Sequence, residues 1–320
     1  MSYKILVVLP VEERHKKQFQ QIAGEHEITY CLAKDVTKEE AQKANIIIGN
    51  LPVEYIRESP NLQWMQLNNA GTEGYCEPGV LPEKTILTNA TGAYGMAISE
   101  HMIGMLFMLQ KHLDTYYVQQ QGHIWEKQEP MYVAEGSTVL VLGLGDIGGT
   151  FARKMKAMGS YIIGIRKSNQ PKPEYVDEQY TMESLHQVLP RADVVALSLP
   201  AYDETRGILG RNEFEMMKEN AVVLNVGRGS AIDTDALTDA LYQRKIYGAG
   251  LDVTDPEPLS PCHPIWNAPH VLITPHVSGG YALAPTLEKI LKISVRNLEK
   301  YLTGQPMENV IDFSTGYVKR

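Results

Sequence analysis

Three short segments in the second half of the chain each end an apolar run with a residue able to bind or exchange charge. Leu224-Asn225-Val226-Gly227-Arg228-Gly229-Ser230 sets a guanidinium between two glycines. Gly250-Leu251-Asp252-Val253 leads at once into Asp255-Pro256-Glu257-Pro258-Leu259, which offers a carboxylate. Ile273-Thr274-Pro275-His276-Val277-Ser278-Gly279 offers an imidazole. Singly, such residues are ordinary: an Arg at a strand end pairs with a surface acid, and a His after proline caps a turn. Together, at or just beyond strand ends, they converge on the carboxyl edge of one sheet, where doubly wound proteins bind ligands. A guanidinium placed there clamps a carboxylate through paired charged hydrogen bonds. An imidazole, titrating near neutral pH, gives or takes a proton. Arg228, Glu257 and His276 are the candidate catalytic set.

A second constellation precedes them. Val139-Leu140-Val141-Leu142 runs into Gly143-Leu144-Gly145-Asp146-Ile147-Gly148, a strand entering G-x-G-x-x-G and then a helix. With strand and helix on its two sides, this is the dinucleotide fingerprint. Gly143 permits the tight turn, Gly145 the close approach of backbone to a pyrophosphate, and Gly148 the packing of helix on strand. The fingerprint ordinarily continues with an Asp or Glu about 20 residues on, which binds the ribose 2′-hydroxyl. Here the next strand, Tyr161–Ile165, ends on Arg166-Lys167-Ser168, with no carboxylate. A guanidinium, an ammonium and a hydroxyl suit a 2′-phosphate instead. NADP(H) is therefore expected over NAD(H), which stays possible.

Those residues need strands to place them, and the pattern supplies two sets. In the first hundred residues Ile5–Leu9, Asn45–Ile48, Leu62–Leu67 and Thr85–Thr88 read as strands, and Val11–Ala23 and Lys38–Ala44 as helices. From residue 137 a second alternation follows. Strands are expected at Thr138–Leu142, Tyr161–Ile165, Val194–Leu199, Ala221–Val226 and Val271–Thr274, with helices such as Ile147–Met158 and Asp233–Gln243. Between the two sets, Ala97 to Gln120 carries Met102, Met105, Leu106, Leu109 and Leu113 at helical spacing and reads as one long helix from one domain to the other. Its methionines read as core packing. A further helix, Leu283 to Leu302, is stopped by Gly304 and Pro306. The fold class is α/β: two Rossmann-like or flavodoxin-like doubly wound domains with a cleft between them.

Composition excludes other classes. The chain has 320 residues, long for a single core, with 43% hydrophobic residues, 21% charged residues and a formal net charge of -8. No Lys/Arg block stands out, so nucleic acid and anionic membranes are not expected partners. Cys31, Cys76 and Cys262 lack metal-ligand spacing and read as free thiols of a reducing compartment. No metal site is expected. Neither the run Ile5 to Leu9 nor Met102 to Leu109 is long enough for a membrane span. A cytoplasmic location is the expectation.

At the motifs from Gly143 to Gly280 the sequence resembles the D-isomer-specific 2-hydroxyacid dehydrogenases, and Pro256-Glu257-Pro258-Leu259-Ser260-Pro261 with Pro264-Ile265-Trp266 is most similar to their glyoxylate/hydroxypyruvate reductase branch. The resemblance implies a discontinuous substrate domain, residues 1–100 plus 286–320, around a cofactor domain, residues 101–285. It implies that Asp252 contacts the nicotinamide carboxamide and that Leu199 and Pro200 lie against the adenosine half. Thr205, Val226, Gly227, His276 and Ser278 complete the cofactor set. On the substrate side it points to Leu51 and to the loop Asn69-Ala70-Gly71, whose amides would bind a carboxylate beside Arg228 and His276. It also implies a homodimer through the cofactor domain. Two departures stand out: Met96-Ala97-Ile98-Ser99-Glu100-His101 keeps the family's Glu-His ending without its usual Val-Ala lead, and Ala134-Glu135-Gly136-Ser137 replaces Leu-x-Gly-Lys.

The implied reaction is reduction of a small 2-oxo acid to a D-2-hydroxy acid. Arg228 would hold the carboxylate and polarise the ketone, His276 would protonate the developing alkoxide, and Glu257 would orient the imidazole. The same site could serve a 2-imino acid, which supplying an amine with the 2-oxo acid would reveal. A nucleotide-sensing, non-enzymatic relative is the third reading, set against by the complete Arg–Glu–His set. His101, His123, His263 and His270 show no partner in the sequence and read as structural or surface.

Overall fold

The structure is a computed structural model that describes residues 2–72, 74–167, 170–281 and 283–319. The chain divides into two compact units, Met1–Tyr94 with Tyr281–Arg320, and Gly95–Gly280. Among the described residues, the first unit holds a five-stranded parallel sheet and a two-stranded ribbon, and the second a seven-stranded parallel sheet. The two doubly wound α/β units expected from the sequence are the fold.

In the first unit the strands are β1 (Lys4–Val7), β2 (Glu27–Tyr30), β3 (Ile46–Ile48), β4 (Trp64–Gln66) and β5 (Ile86–Thr88), in the order β2-β1-β3-β4-β5. Helices α1 (Glu13–Ala23), α2 (Lys38–Lys43) and the single turn α3 (Val53–Ile56) connect them. Ile46, Ile47 and Ile48 are all fully buried, as a central parallel strand covered on both faces requires. The chain leaves β1 in one direction for β2 and returns in the other to β3, so the topological switch lies between β1 and β3. There Gly49, at φ +113°, lies where a Cβ would strike Val8 at 2.5 Å. Asn50 and Asn68 then exchange backbone-to-side-chain bonds of 2.8 and 2.9 Å, fixing the loops after β3 and β4.

The second unit opens with α4 (Gly95–Gln110) and α5 (Leu113–Gln121). It continues with β6 (Thr138–Leu142), α6 (Asp146–Ala157), β7 (Tyr161–Ile165), β8 (Glu178–Tyr180), α7 (Leu185–Val188), β9 (Val194–Leu197), α8 (Arg211–Met216), β10 (Val222–Asn225), α9 (Thr234–Tyr242), β11 (Gly248–Leu251) and β12 (Val271–Ile273). Sheet order is β12-β11-β10-β9-β6-β7-β8, which puts the switch between β6 and β9. Helix α4 packs on α6 and on β10 to β12, burying Ile98, Met102, Met105, Leu106 and Leu109. The methionines are packing side chains. The last elements, α10 (Ala284–Leu302), β13 (Ile311–Asp312) and β14 (Tyr317–Val318), belong to the first unit, where α10 packs on α1.

The expected single helix from Ala97 to Gln120 is a correction. It breaks between Gln110 and Leu113, where His112 takes a left-handed conformation at φ 52°. No Gly or Pro marks the break. The cause is tertiary: the buried His112 ring donates from Nε2 to the Pro130 carbonyl at 2.8 Å and packs edge-on to Tyr247 and His270. Helix α4 also lies wholly within the second unit. β2 and β8 are edge strands with no apolar run to announce them, and β11 carries two glycines, Gly248 with His270 O at 2.6 Å from any Cβ and Gly250 packed tightly by Leu224 and Met105 at 3.0 and 3.1 Å. Among the described residues no helix is long and apolar enough to cross a membrane.

Phe151, fully buried on α6, should cost about 3–5 kcal/mol when cut to Ala. Urea denaturation would read this as a lower midpoint at an unchanged slope.

Candidate active site

Strand β6 ends at the switch point of its sheet, and the glycine loop follows it directly. Gly143 has φ +96°, and a Cβ on it would lie 3.0 Å from Ser198 O, in the loop after β9. Gly148 is tighter still: a Cβ would sit 2.0 Å from Gly143 O and 2.5 Å from Ser198 Oγ. Ser198 Oγ donates to Gly143 O at 2.9 Å, tying the two switch-point loops together. Gly145 differs from both, because a Cβ there would meet nothing within 4 Å. It is exposed, it caps α6, and among the described residues no side-chain bond caps that helix end. An uncapped start of a 12-residue helix beside open space is what a pyrophosphate needs, so the residues fit a dinucleotide. Leu144 turns inward, into the space that Gly164 leaves without a side chain, and Ile147 is half-buried.

Asp146 points elsewhere. Its Oδ2 accepts the Gly95 amide at 2.7 Å, and a Cβ on Gly95 would collide with Asp146 at 2.5 Å. A residue of the dinucleotide loop thus holds the first residue of α4.

At the end of β7, Arg166 Nη2 donates to Gln170 Oε1 at 2.7 Å. Lys167 Nζ sits 4.6 Å above the Tyr202 ring and 4.0 Å from Glu204. Ser168 lies outside the described residues. Two cations and no carboxylate of the strand end itself stand there, with Glu204 contributed by the loop after β9. That loop is shaped by Thr205, whose hydroxyl donates to Pro200 O at 2.7 Å and accepts the Tyr202 amide at 3.0 Å. Leu199 is buried, and its backbone comes within 2.6 Å of where a Gly227 Cβ would be.

Arg228 follows β10. The glycines beside it are both forced by crossing backbone: Leu199 at Gly227, and Thr254 at 2.0 Å from a Cβ on Gly229. Val226 is buried in front of them. Arg228, half-buried in extended conformation, donates from Nη1 to Gly227 O at 2.8 Å.

His276 and Glu257 meet: Nδ1 and Oε2 are 3.0 Å apart, both side chains about half exposed. Glu257 is steadied by the Thr254 amide, which donates to Oε1 at 3.0 Å. Because an ionised carboxylate only accepts, Nδ1 carries the proton and Nε2 is the acceptor nitrogen of the neutral ring. His276 itself has φ 51°, a left-handed backbone that non-glycine residues seldom adopt.

What holds that backbone is Asp252, one per cent exposed. Its Oδ1 accepts the Thr274 hydroxyl at 2.5 Å and the Val277 amide at 2.9 Å; its Oδ2 accepts the Ser278 amide at 3.1 Å and the Ser278 hydroxyl at 2.5 Å. Its carbonyl accepts the His276 amide at 2.9 Å. The four lone-pair positions of the carboxylate are all engaged with the loop 274–278. Asp252 and Ser278, both expected as cofactor contacts, bond to each other. Thr274 and His101, whose Nε2 lies 3.0 Å from Thr274 Oγ1, carry no such sign in the local sequence. The Glu100-His101 pair was visible in the sequence; its partner across the fold was not.

The expected substrate residues belong to the first unit. Leu51 packs into that unit's core, its carbonyl accepting the Tyr75 hydroxyl at 2.7 Å. In the loop after β4, Asn69 O accepts the Ala90 amide at 2.9 Å and Ala70 O accepts Asn89 Nδ2 at 2.6 Å. With its carbonyls so engaged, the loop runs exposed at Asn69 and half-buried at Ala70 and Gly71. Among the described residues no group of three or more His, Cys, Asp or Glu side chains could hold a metal ion.

This arrangement has relatives. The NAD binding domain of the D-isomer specific 2-hydroxyacid dehydrogenases matches residues 103–278. Hydroxypyruvate reductase of Blautia hydrogenotrophica is 28% identical over 84% of this chain and 85% of its own. A D-isomer specific 2-hydroxyacid dehydrogenase family protein from Aeromonas salmonicida subsp. salmonicida superposes with a TM-score of 0.86 at 29% identity, covering 98% of this chain and 100% of that one. The D-isomer specific 2-hydroxyacid dehydrogenase from Xanthobacter autotrophicus, solved in complex with NADPH and MES, gives 0.80 at 25% identity, covering 99% and 100%. The chain belongs to the D-isomer specific 2-hydroxyacid dehydrogenase family, oxidoreductases whose NAD(P)-binding domain here spans the glycine loop and the Arg228, Glu257 and His276 motifs.

Proposed function

We propose that this protein reduces a small 2-oxo acid to the D-2-hydroxy acid, with NADPH preferred to NADH, in the manner of the glyoxylate/hydroxypyruvate reductases. The observation that carries the reading is the His276–Glu257 pair at 3.0 Å, on a loop whose backbone Asp252 pins. When bound, the nicotinamide dinucleotide supplies the hydride for C2 of the 2-oxo acid. Gly143 to Gly148 and the start of α6 would hold its pyrophosphate, and Arg166 and Lys167 its 2′-phosphate.

This chain's residues do the rest. Arg228 holds the substrate carboxylate by charged hydrogen bonds and draws electron density toward the ketone oxygen. As the oxygen at C2 gains negative charge, His276 delivers the proton from Nε2. Glu257, accepting from Nδ1, fixes the ring's orientation and tautomer. In the oxidative direction His276 starts neutral and accepts the hydroxyl proton at Nε2. Glyoxylate and hydroxypyruvate are the substrates to try first, since the relative from Blautia hydrogenotrophica is a hydroxypyruvate reductase. Pairing of two chains through the cofactor domain belongs to the same reading; exposed Leu113, Tyr117, Val118, Ile124 and Trp125 on that unit support it.

His276→Ala should lower kcat by roughly 10²–10⁴-fold, the usual worth of a positioned acid–base. Arg228→Ala should cut kcat/KM for the 2-oxo acid by roughly 10–100-fold through loss of a charged hydrogen bond. Both should still bind NADPH in a fluorescence titration; full activity in either variant would overturn its assigned role. Steady-state kinetics should favour NADPH in kcat/KM, and Arg166→Ala with Lys167→Ala should erase about tenfold of that preference. A parent enzyme that prefers NADH removes the phosphate reading.

A further inference from the structure

His101 has no part in the proton transfer just described, yet its ring is bonded to the loop that carries His276. The bonds have a direction. Asp252 accepts at Oδ1 from Thr274 Oγ1 at 2.5 Å, so the single hydroxyl proton of Thr274 is committed to the carboxylate. Toward His101, 3.0 Å away, that hydroxyl can then only accept, and Nε2 of His101 must be the donor. The relay runs His101 Nε2–H to Thr274 Oγ1, then Thr274 O–H to Asp252. His101 Nε2 is itself 3.9 Å from Asp252 Oδ1.

The far end of the relay is fixed. His101 sits on α4 between buried Ile98 and Met102, and the first amide of that helix is held by Asp146. The near end is strained. Thr274 is two residues before His276, whose φ of 51° persists against its own preference. A threonine hydroxyl can turn about χ1 to other backbone acceptors unless a donor on its far side fixes it. His101 is that donor.

We propose that His101 is a positioning residue for His276: by donating to Thr274 it locks the hydroxyl onto Asp252 and so fixes the loop on which the acid–base stands. This rests on the reading of His276 as proton donor. It assigns His101 no contact with substrate and no proton transfer; its effect travels through one hydroxyl and one carboxylate.

The test is a four-variant series in the full-length protein, with NADPH and glyoxylate or hydroxypyruvate. His101→Leu and Thr274→Val should each lower kcat by about tenfold, since small misplacement of a reacting group is expensive, while the Kd for NADPH from fluorescence titration stays within about twofold. His101→Gln, whose amide nitrogen can reach the position of Nε2, should restore kcat to within about threefold of the parent. The double variant should be no slower than Thr274→Val alone, because residues acting in series do not add. Parental kcat in His101→Leu, failure of His101→Gln to rescue, or additive losses in the double variant would each overturn the proposal. Should His101→Leu not fold, His101→Asn, too short to reach Thr274, takes its place in the same comparisons. His276→Ala separates the two levels: activity kept there removes the acid–base reading, whereas activity lost there with His101→Leu unimpaired removes only the role of His101.

Discussion

A buried carboxylate is costly to desolvate unless donors surround it, and Asp252 meets that demand entirely from one short loop. The loop gains as much as the aspartate does. Left-handed backbone at a non-glycine residue costs about 1–2 kcal/mol, and His276 adopts it between a proline, which has no amide to offer, and Val277, whose amide is bound to Oδ1. Charged hydrogen bonds to amides and hydroxyls on both oxygens are enough to offset that strain. The geometry of His276, the proposed acid–base, is therefore set by the Asp252 carboxylate, and the sequence Thr274-Pro275-His276-Val277-Ser278 can be read as a list of donors with one necessary gap. Glu257 comes to Nδ1 from another loop, and its own orientation depends on the Thr254 amide.

The parts of the fold that were legible in the sequence are those where one face or both faces of an element are apolar. β6 and β7 begin and end where their apolar runs do, because central parallel strands are buried throughout. The strands that escaped notice break that rule for identifiable reasons. β2 and β8 lie at sheet edges with no fully buried face, and β11 is half glycine where His270 backbone, Leu224 and Met105 crowd it. The division of the long helix at His112 had no local sign, since its cause is a carbonyl 18 residues further along the chain.

The site shows a similar split. Glycines imposed by crossing backbone, such as Gly148, Gly227 and Gly229, announce themselves in motifs because no other residue fits. The meeting of His276 with Glu257 could be expected from their placement at neighbouring strand ends. The relations of Asp252 could not, since they join residues separated by 22 to 26 positions and one of them, His101, by about 150. Leu51 illustrates the reverse: a position taken for the substrate side has its side chain in the core of its unit, and its carbonyl serves Tyr75.

Asp146 carries a constraint of another kind. It occupies a variable position of the glycine fingerprint, where a protein engineer seeking new cofactor selectivity would feel free to randomise. In this chain its carboxylate is also the cap of α4, set so close that only glycine can stand at residue 95. The Asp146 carbonyl stands equally close, so residue 95 stays tied to glycine whatever side chain occupies 146, while its amide depends on that carboxylate. A library that varies residue 146 would collect unfolded helix starts and report them as failures of cofactor recognition.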